Sequence, residues 1–196
     1  MNKVIMVLLF LFLSISANNI IYKQNKKLDT IVKNLDTILL KNDESAILDM
    51  IEELEELEKN DGYNPQTASY IGSLTSRLAT FTWMPWSKLS YADKGSRIMN
   101  KAVKKSPNDI VVRFNRFFAY IYFPSGLKKE SFIQQDVRFF LKAFKTTTND
   151  KVVQNMATAL SMFFLKQKDD TRYKKYYSMI KDDALKQRVI LFKGKH

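Results

Sequence analysis

Two residue types that carry much of enzyme chemistry are almost missing from this chain of 196 residues. The chain contains no cysteine, and its one histidine is the last residue, His196. Cys–His and Ser–His–Asp sites need a positioned histidine, and structural zinc sites need several His or Cys ligands. These sites are excluded unless the terminal residue folds back, and disulfides are excluded altogether. Glycine-rich phosphate or dinucleotide fingerprints are also missing. We therefore expect no enzyme activity, no metal and no cofactor.

Glycine and proline are also scarce, with five and four residues. This scarcity favours long helices joined by short turns, and no segment shows the clear alternation of a β-strand, although 189–192 is ambiguous. The sequence therefore predicts an all-α fold. Helices are predicted at 29–41, around the apolar stripe 47–57, at 66–81, at 88–105, from a cap at Asn108 or Asp109 to about 123, at 131–145, 150–166 and 171–181, and after a cap at Asp182 or Asp183. Between two of them, residues 82–88 are predicted to form an irregular loop, because Pro85 interrupts a regular helix.

The first 17 residues have the pattern of an export signal. Lys3 precedes the apolar run Val4–Leu13, and small residues up to Ala17 fit a cleavage site. The run is shorter than the roughly 20 apolar residues that span a bilayer. We expect residues 1–17 to be a signal peptide and the protein to be periplasmic or secreted. The alternative is an uncleaved N-terminal membrane anchor, because Ile20–Tyr22 partly extends the apolar stretch.

Charge divides the remaining chain into an acidic and a basic part. Residues 18–62 carry six lysines against eleven acidic residues, a balance of −5, and residues 63–196 have a balance of +16. The first part is predicted to be an acidic helical hairpin, continuous with the basic helical stack that follows. A basic region of this strength favours anionic lipid head groups or polyanions. The alternative is lysine spread over solvated helix faces. We prefer the alternative because lysine (25) far outnumbers arginine (7), and no nucleic-acid partner is expected.

An internal echo indicates the architecture. The stretch 101–123 resembles the stretch 142–164 at an offset of 41 residues, and each copy reads as a helix end, a turn and a helix start. A repeat of this size is typical of stacked helical hairpins, since one hairpin does not bury its own apolar face. The alternative is a chance likeness between two helix junctions. The matching pairs are Lys101/Lys142, Ala102/Ala143, Lys104/Lys145, Asn108/Asn149, Asp109/Asp150, Val111/Val152, Val112/Val153 and Phe123/Phe164.

Residues 68–140 resemble bacterial proteins with tetratricopeptide-like repeats. The segment AVKKSPND at 102–109 resembles the end of a repeat's second helix, in which Gly95 and Ala102 would be small packing positions flanking Met99. The first-helix signature departs from the standard repeat, and Thr148 replaces the turn proline in the second copy. The resemblance implies a short right-handed solenoid of stacked antiparallel helical hairpins, and a protein–protein interaction scaffold as the typical role.

A group of polar residues in apolar helices permits two interpretations. Asp136 lies among apolar neighbours, where a carboxylate is costly unless it is paired, and Arg113 or Arg116 is its natural partner. This structural ion pair is the preferred interpretation, and Tyr120 shares the helix stripe of both arginines. The rival is an anion-binding pocket. In the pocket, Arg113 and Arg116 act together with Lys88 and Tyr91, and the walls are Trp83 and Trp86.

The two tryptophans raise a separate question. Trp83 and Trp86 flank Pro85 in one predicted loop, and tryptophan is enriched at binding hot spots. The loop either exposes the indoles as an anchor for a partner or folds over the helix ends as part of the core. We prefer the core interpretation.

The function predicted from the sequence is an exported, non-catalytic scaffold that binds a protein or peptide on the concave face of the stack. The alternative is an electrostatic binder of anionic envelope components, which should weaken steeply as salt rises. A carboxylate-based hydrolase ranks last, because the glutamates at 52–58 form a solvated helix face. Homodimerisation that completes an uncapped terminal repeat is a further expectation.

Overall fold

The computed structural model describes residues 26–127 and 129–194, and every regular element in that part of the chain is a helix. The all-α prediction is therefore confirmed for these residues. The predicted signal segment 1–17 lies outside them. The elements are α1 Lys26–Val32, α2 Leu35–Lys41, α3 Glu44–Asp61, α4 Pro65–Leu78, α5 Pro85–Lys105, α6 Ile110–Tyr120, a 3-10 turn at Ser125–Leu127, α7 Glu130–Ala143, α8 Asp150–Lys166, α9 Asp170–Tyr177 and α10 Asp183–Lys193.

The helices pack mainly against their neighbours in sequence. From α3 to α8 each helix contacts the next one along the chain, and α1 and α2 pack on α3. A second set of contacts joins alternate helices, since α4 contacts α6, α6 contacts α8, and α8 contacts α10. The helices α4, α6, α8 and α10 therefore form a continuous row, and α5, α7 and α9 each pack against members of it.

Side-chain caps fix where most of these helices begin. Asp43, Asn64, Asp109 and Asn149 each accept hydrogen bonds from backbone N–H groups of the first turn of their helix. Such caps satisfy donors that have no partner within the helix. The Asp109 carboxylate also accepts a 2.9 Å hydrogen bond from the Gln66 amide of α4. This cap therefore ties the start of α6 to α4 as well.

Two main apolar clusters form most of the core. The smaller of these two joins α1, α3 and α4 around Leu28, Ile47 and Leu54, and the larger one extends from α5 to α10. A few further buried residues, Ala68, Ala102, Val103 and Val112, pack together between α4, α5 and α6. In the larger cluster, α8 is buried at every position from 156 to 164. Because nine consecutive residues cover the whole circumference of a helix, α8 is enclosed on all sides there. The central part of the helix row therefore offers no open concave face along α8.

The tightest helix pair is α4 with α5. A Cβ atom built on Gly95 would collide with the backbone carbonyl of Gly72, and one built on Gly72 would lie 2.9 Å from the carbonyl oxygen of Gly95. Met99 and Ala102 are both fully buried. The predicted small packing positions Gly95 and Ala102, with the larger Met99 between them, are therefore confirmed.

Several predicted element limits are wrong. The single helix predicted at 29–41 is two short helices, and the bend lets apolar residues of both pack on the smaller cluster. Pro85 begins α5 instead of interrupting a helix, since the first turn needs no N–H from that residue. Residues 189–192 lie within α10 and are not a strand. Four helices also end earlier than predicted: α4 at residue 78, α6 at 120, α7 at 143 and α9 at 177.

The 41-residue offset between the two similar stretches holds up to the turn and changes by one residue after it. Ala102 and Ala143, which the 41-residue offset pairs, are both buried near the ends of their helices. After the turn, the caps Asp109 and Asn149 are separated by 40 residues, so the register has moved by one. The two copies do share the order helix, turn and helix. Their likeness is therefore local to each side of the turn.

Candidate functional site

The predicted Asp136 ion pair is present and involves both arginines. Asp136 has no solvent exposure, and its Oδ1 lies 2.8 Å from Arg113 Nη1 and 2.7 Å from Arg116 Nη2. Arg116 Nε also donates to Asp136 Oδ2 at 2.9 Å, which completes a two-point contact. The cluster connects α6 to α7 inside the larger apolar cluster.

Further donors of both arginines are also occupied. Arg116 Nη1 donates to Asn100 Oδ1 at 3.2 Å, and Arg113 Nε donates to the carbonyl oxygen of Pro107 at 2.6 Å. The guanidinium of Arg113 also lies over the ring of Phe139. Both arginines are therefore engaged by protein groups, in contrast to the free guanidiniums that an anion pocket requires.

Burial disfavours the ionised forms of the side chains in this cluster. It raises the pKa of the Asp136 carboxyl and lowers the pKa of the Arg113 guanidinium, and in both cases the ion pair opposes the shift. Burial also raises the pKa of Tyr120, whose hydroxyl donates to the carbonyl oxygen of Ser96 at 3.3 Å. Desolvated charges of this kind are retained only when they are paired. The geometry is that of a structural clamp between helices.

The other members of the hypothetical anion pocket lie elsewhere. Arg116 meets α5 at Asn100, and Trp86 is 14 residues earlier on that helix, about 21 Å away along the axis. Lys88 is exposed near the same distant end, and Tyr91 is half-buried against the smaller apolar cluster. The structure therefore does not assemble the pocket of tryptophans, lysine and arginines.

The tryptophans are exposed, which corrects the preferred core interpretation. Trp83 is 79% exposed, Trp86 is 63% exposed, and Leu89, one turn further along α5, is 55% exposed. Because Pro85 starts the helix, Trp86 is held on a regular first turn that the long α5 supports. We call Trp83, Trp86 and Leu89 the indole surface. Leu89 was missed because its spacing from Trp86 shows only once the helix starts at Pro85.

Cationic residues lie along the side of α5 that carries Trp86. Arg97 and Lys104 follow Trp86 by about three and five helical turns, so all three lie along one face. Lys94, Arg97 and Lys104 are exposed, and within residues 26–127 and 129–194 no ion pair joins them to a carboxylate. Lys88 is also exposed but lies about 160° around the helix from Trp86. The helix carries six cationic residues and one acidic residue, Asp93. An apolar tip is thus followed by a basic face.

A shallow cleft lies between α1 and α3. It has a volume of about 470 Å³, and the exposed ion pair of Lys27 with Asp61, at 2.9 Å, lies on its wall. Its charged groups are solvated, so nothing there selects one carboxylate for acid–base chemistry. The lining residues are Lys27, Thr30, Ile31, Glu53, Glu56, Leu57, Asn60 and Asp61.

The described residues include no group of three or more His, Cys, Asp or Glu side chains placed to hold a metal ion. No helix in the same part of the chain has both the length and the apolar character needed to cross a membrane. Comparisons of the chain with protein-family models, curated proteins and solved structures gave no match.

Proposed function

We propose that the protein is an exported, non-catalytic helical scaffold that binds its partner through the indole surface. The observation that carries this proposal is the exposure of both indoles at the start of a rigid, well-packed helix. Large exposed aromatic side chains on a fixed element are typical of binding hot spots. The cluster of Arg113, Arg116 and Asp136 then has a stabilising role.

The proposed architecture is a short tetratricopeptide-like solenoid. Its support is the row formed by α4, α6, α8 and α10, with the intervening helices packed against it. Stacked hairpins produce this pattern, in which each helix contacts its sequence neighbour and the helix two positions on. The enclosure of α8 argues against binding on the inner face of such a row. Binding at the outer tip of α5 fits better.

Two partner classes suit this surface. A protein or peptide suits the exposed indoles, since tryptophan anchors many protein interfaces. An anionic envelope component suits Lys94 and Arg97, which are exposed beside the indoles and form no ion pair in the part of the chain that the structure describes. Both classes require the same tryptophans, so one pair of substitutions tests the proposed surface for either partner. A homodimer through this surface would also require them.

Affinity capture from a fractionated cell envelope tests the proposal. The double variant Trp83→Ala with Trp86→Ala should capture at least about tenfold less partner than the parent protein, because a hot-spot tryptophan contributes at least about 2 kcal/mol to binding. Protein and lipid are quantified separately, in low and high salt. Retention in high salt indicates an apolar protein contact, and loss in high salt indicates charge attraction.

The matched control is the double variant Ile190→Ala with Leu191→Ala. These residues of α10 are 49% and 46% exposed and lie outside the indole surface. The control should capture as much partner as the parent protein. Equal capture by the parent protein and the tryptophan variant, with both folded by circular dichroism, would contradict the proposed surface.

A further inference from the structure

We propose that the indole surface, together with the basic face of α5, seats the protein on an anionic lipid membrane. This inference rests on the proposed binding role of the indole surface and names the partner as a lipid surface. It follows from three features of the described residues: the shape of the apolar tip, the unpaired cations beside it, and their alignment on one helix.

The shape of the apolar tip suits a soft interface. With 79% and 63% of their surfaces exposed, Trp83 and Trp86 protrude from the protein instead of lining a groove. Peptide ligands are usually held in preformed grooves that shelter the anchoring side chains. The headgroup region of a bilayer, by contrast, accommodates protruding indoles, because it offers an apolar side and hydrogen-bond acceptors together. The tip therefore matches a membrane better than a peptide.

Charge complementarity selects an anionic membrane. Lys94, Arg97 and Lys104 lie on or near the face of Trp86, are exposed, and have no carboxylate partner in the described part of the chain. Each lysine or arginine near an anionic lipid surface strengthens attraction by about fivefold at moderate salt. The one carboxylate of the helix, Asp93, offsets part of this. The net excess of cations still favours anionic over zwitterionic lipid.

The alignment of the indole and the cations on α5 sets the orientation of the protein on the membrane. Trp86, Arg97 and Lys104 share one face of α5, and the span from Trp86 to Lys104 is about 27 Å along the axis. At the far end, Lys101 lies over the ring of Tyr63, and its charge acts on Glu58. Lys101 is therefore engaged within the protein, whereas Arg97 and Lys104 on the shared face remain available to lipid. We infer that the start of α5 enters the headgroup layer while the rest of the helix lies along the surface.

Tryptophan fluorescence reads this contact directly, because Trp83 and Trp86 are the two tryptophans of the chain. The full chain is mixed with vesicles of phosphatidylglycerol, or of phosphatidylcholine alone, and quenched with acrylamide. Phosphatidylglycerol should shift the emission to shorter wavelength and protect the indoles at least about threefold from quenching. Phosphatidylcholine should have a much smaller effect, and added salt should reverse the protection. If only the apolar N-terminal segment inserted into the vesicles, both indoles would stay accessible to acrylamide.

Sedimentation with the same vesicles tests the residues. Trp83→Ala with Trp86→Ala should weaken partition at least about tenfold, and Lys94→Glu with Arg97→Glu should weaken it by a similar factor in low salt. Ile190→Ala with Leu191→Ala should leave it unchanged. Indoles that stay open to acrylamide on phosphatidylglycerol vesicles, or variants that bind like the parent protein, would overturn the inference.

The envelope capture separates this inference from the proposed function. A protein partner that depends on Trp83 and Trp86, combined with no protection by vesicles, overturns the lipid surface and keeps the binding role of the indoles. Failure in both experiments overturns both proposals. Protection by phosphatidylglycerol that is lost in the charge-reversed variant supports the membrane surface.

Discussion

Replacing Asp136 with asparagine is expected to lower the free energy of unfolding by about 3–5 kcal/mol. The asparagine keeps the shape of the side chain but removes the charge that pairs with both Arg113 and Arg116 at 2.7–2.8 Å. Two guanidiniums would then remain desolvated without a counter-ion. Urea unfolding followed by circular dichroism measures the loss.

Asp93→Asn is the matched control, because Asp93 is exposed on α5. Its effect should stay within about 0.5 kcal/mol. A double-mutant cycle adds Arg116→Met, which should cost much less when Asp136 is already asparagine, since the two residues act as a unit. A loss below about 1 kcal/mol for Asp136→Asn would show that the cluster is not a structural clamp.

Gly95→Ala is expected to lower the free energy of unfolding by about 2–3 kcal/mol. The added Cβ would collide with the backbone of α4 at Gly72 and Ser76, and backbone moves only when the two helices separate. This penalty exceeds the roughly 1 kcal/mol by which alanine is normally the better helix former. Thermal or urea unfolding of the single variant measures the difference.

Gly126→Ala serves as the control for that substitution. A Cβ at Gly126 has no atom within 4 Å, and the backbone there is not left-handed, so the change should alter stability by no more than about 0.5 kcal/mol. If Gly95→Ala were as stable as Gly126→Ala, the close contact of α4 with α5 would be contradicted.

Local signals were sufficient for much of the fold. Helix α8 was predicted at its observed limits, Asp150–Lys166, and in the structure Asn149 caps its first turn. The Asp136 contact was also predictable, since an isolated carboxylate on an apolar face demands a cation. Both results depend on rules that act within one helix or between near neighbours.

Errors arose where one residue admits two local roles. Pro85 either breaks a helix or starts one, and the choice decided whether Trp86 lay in a loop or on a helix. The exposure of Trp83 and Trp86 depends on how the chain packs around the start of α5, which spacing within one helix does not reveal.

Acrylamide quenching of the free protein tests the central claim most directly, because the chain has no tryptophan other than Trp83 and Trp86. If the indoles form an exposed binding surface, both should be quenched nearly as readily as free indole and should emit at the long wavelength of a hydrated ring. Shielded indoles with short-wavelength emission in the free protein would place them in the core and contradict the account.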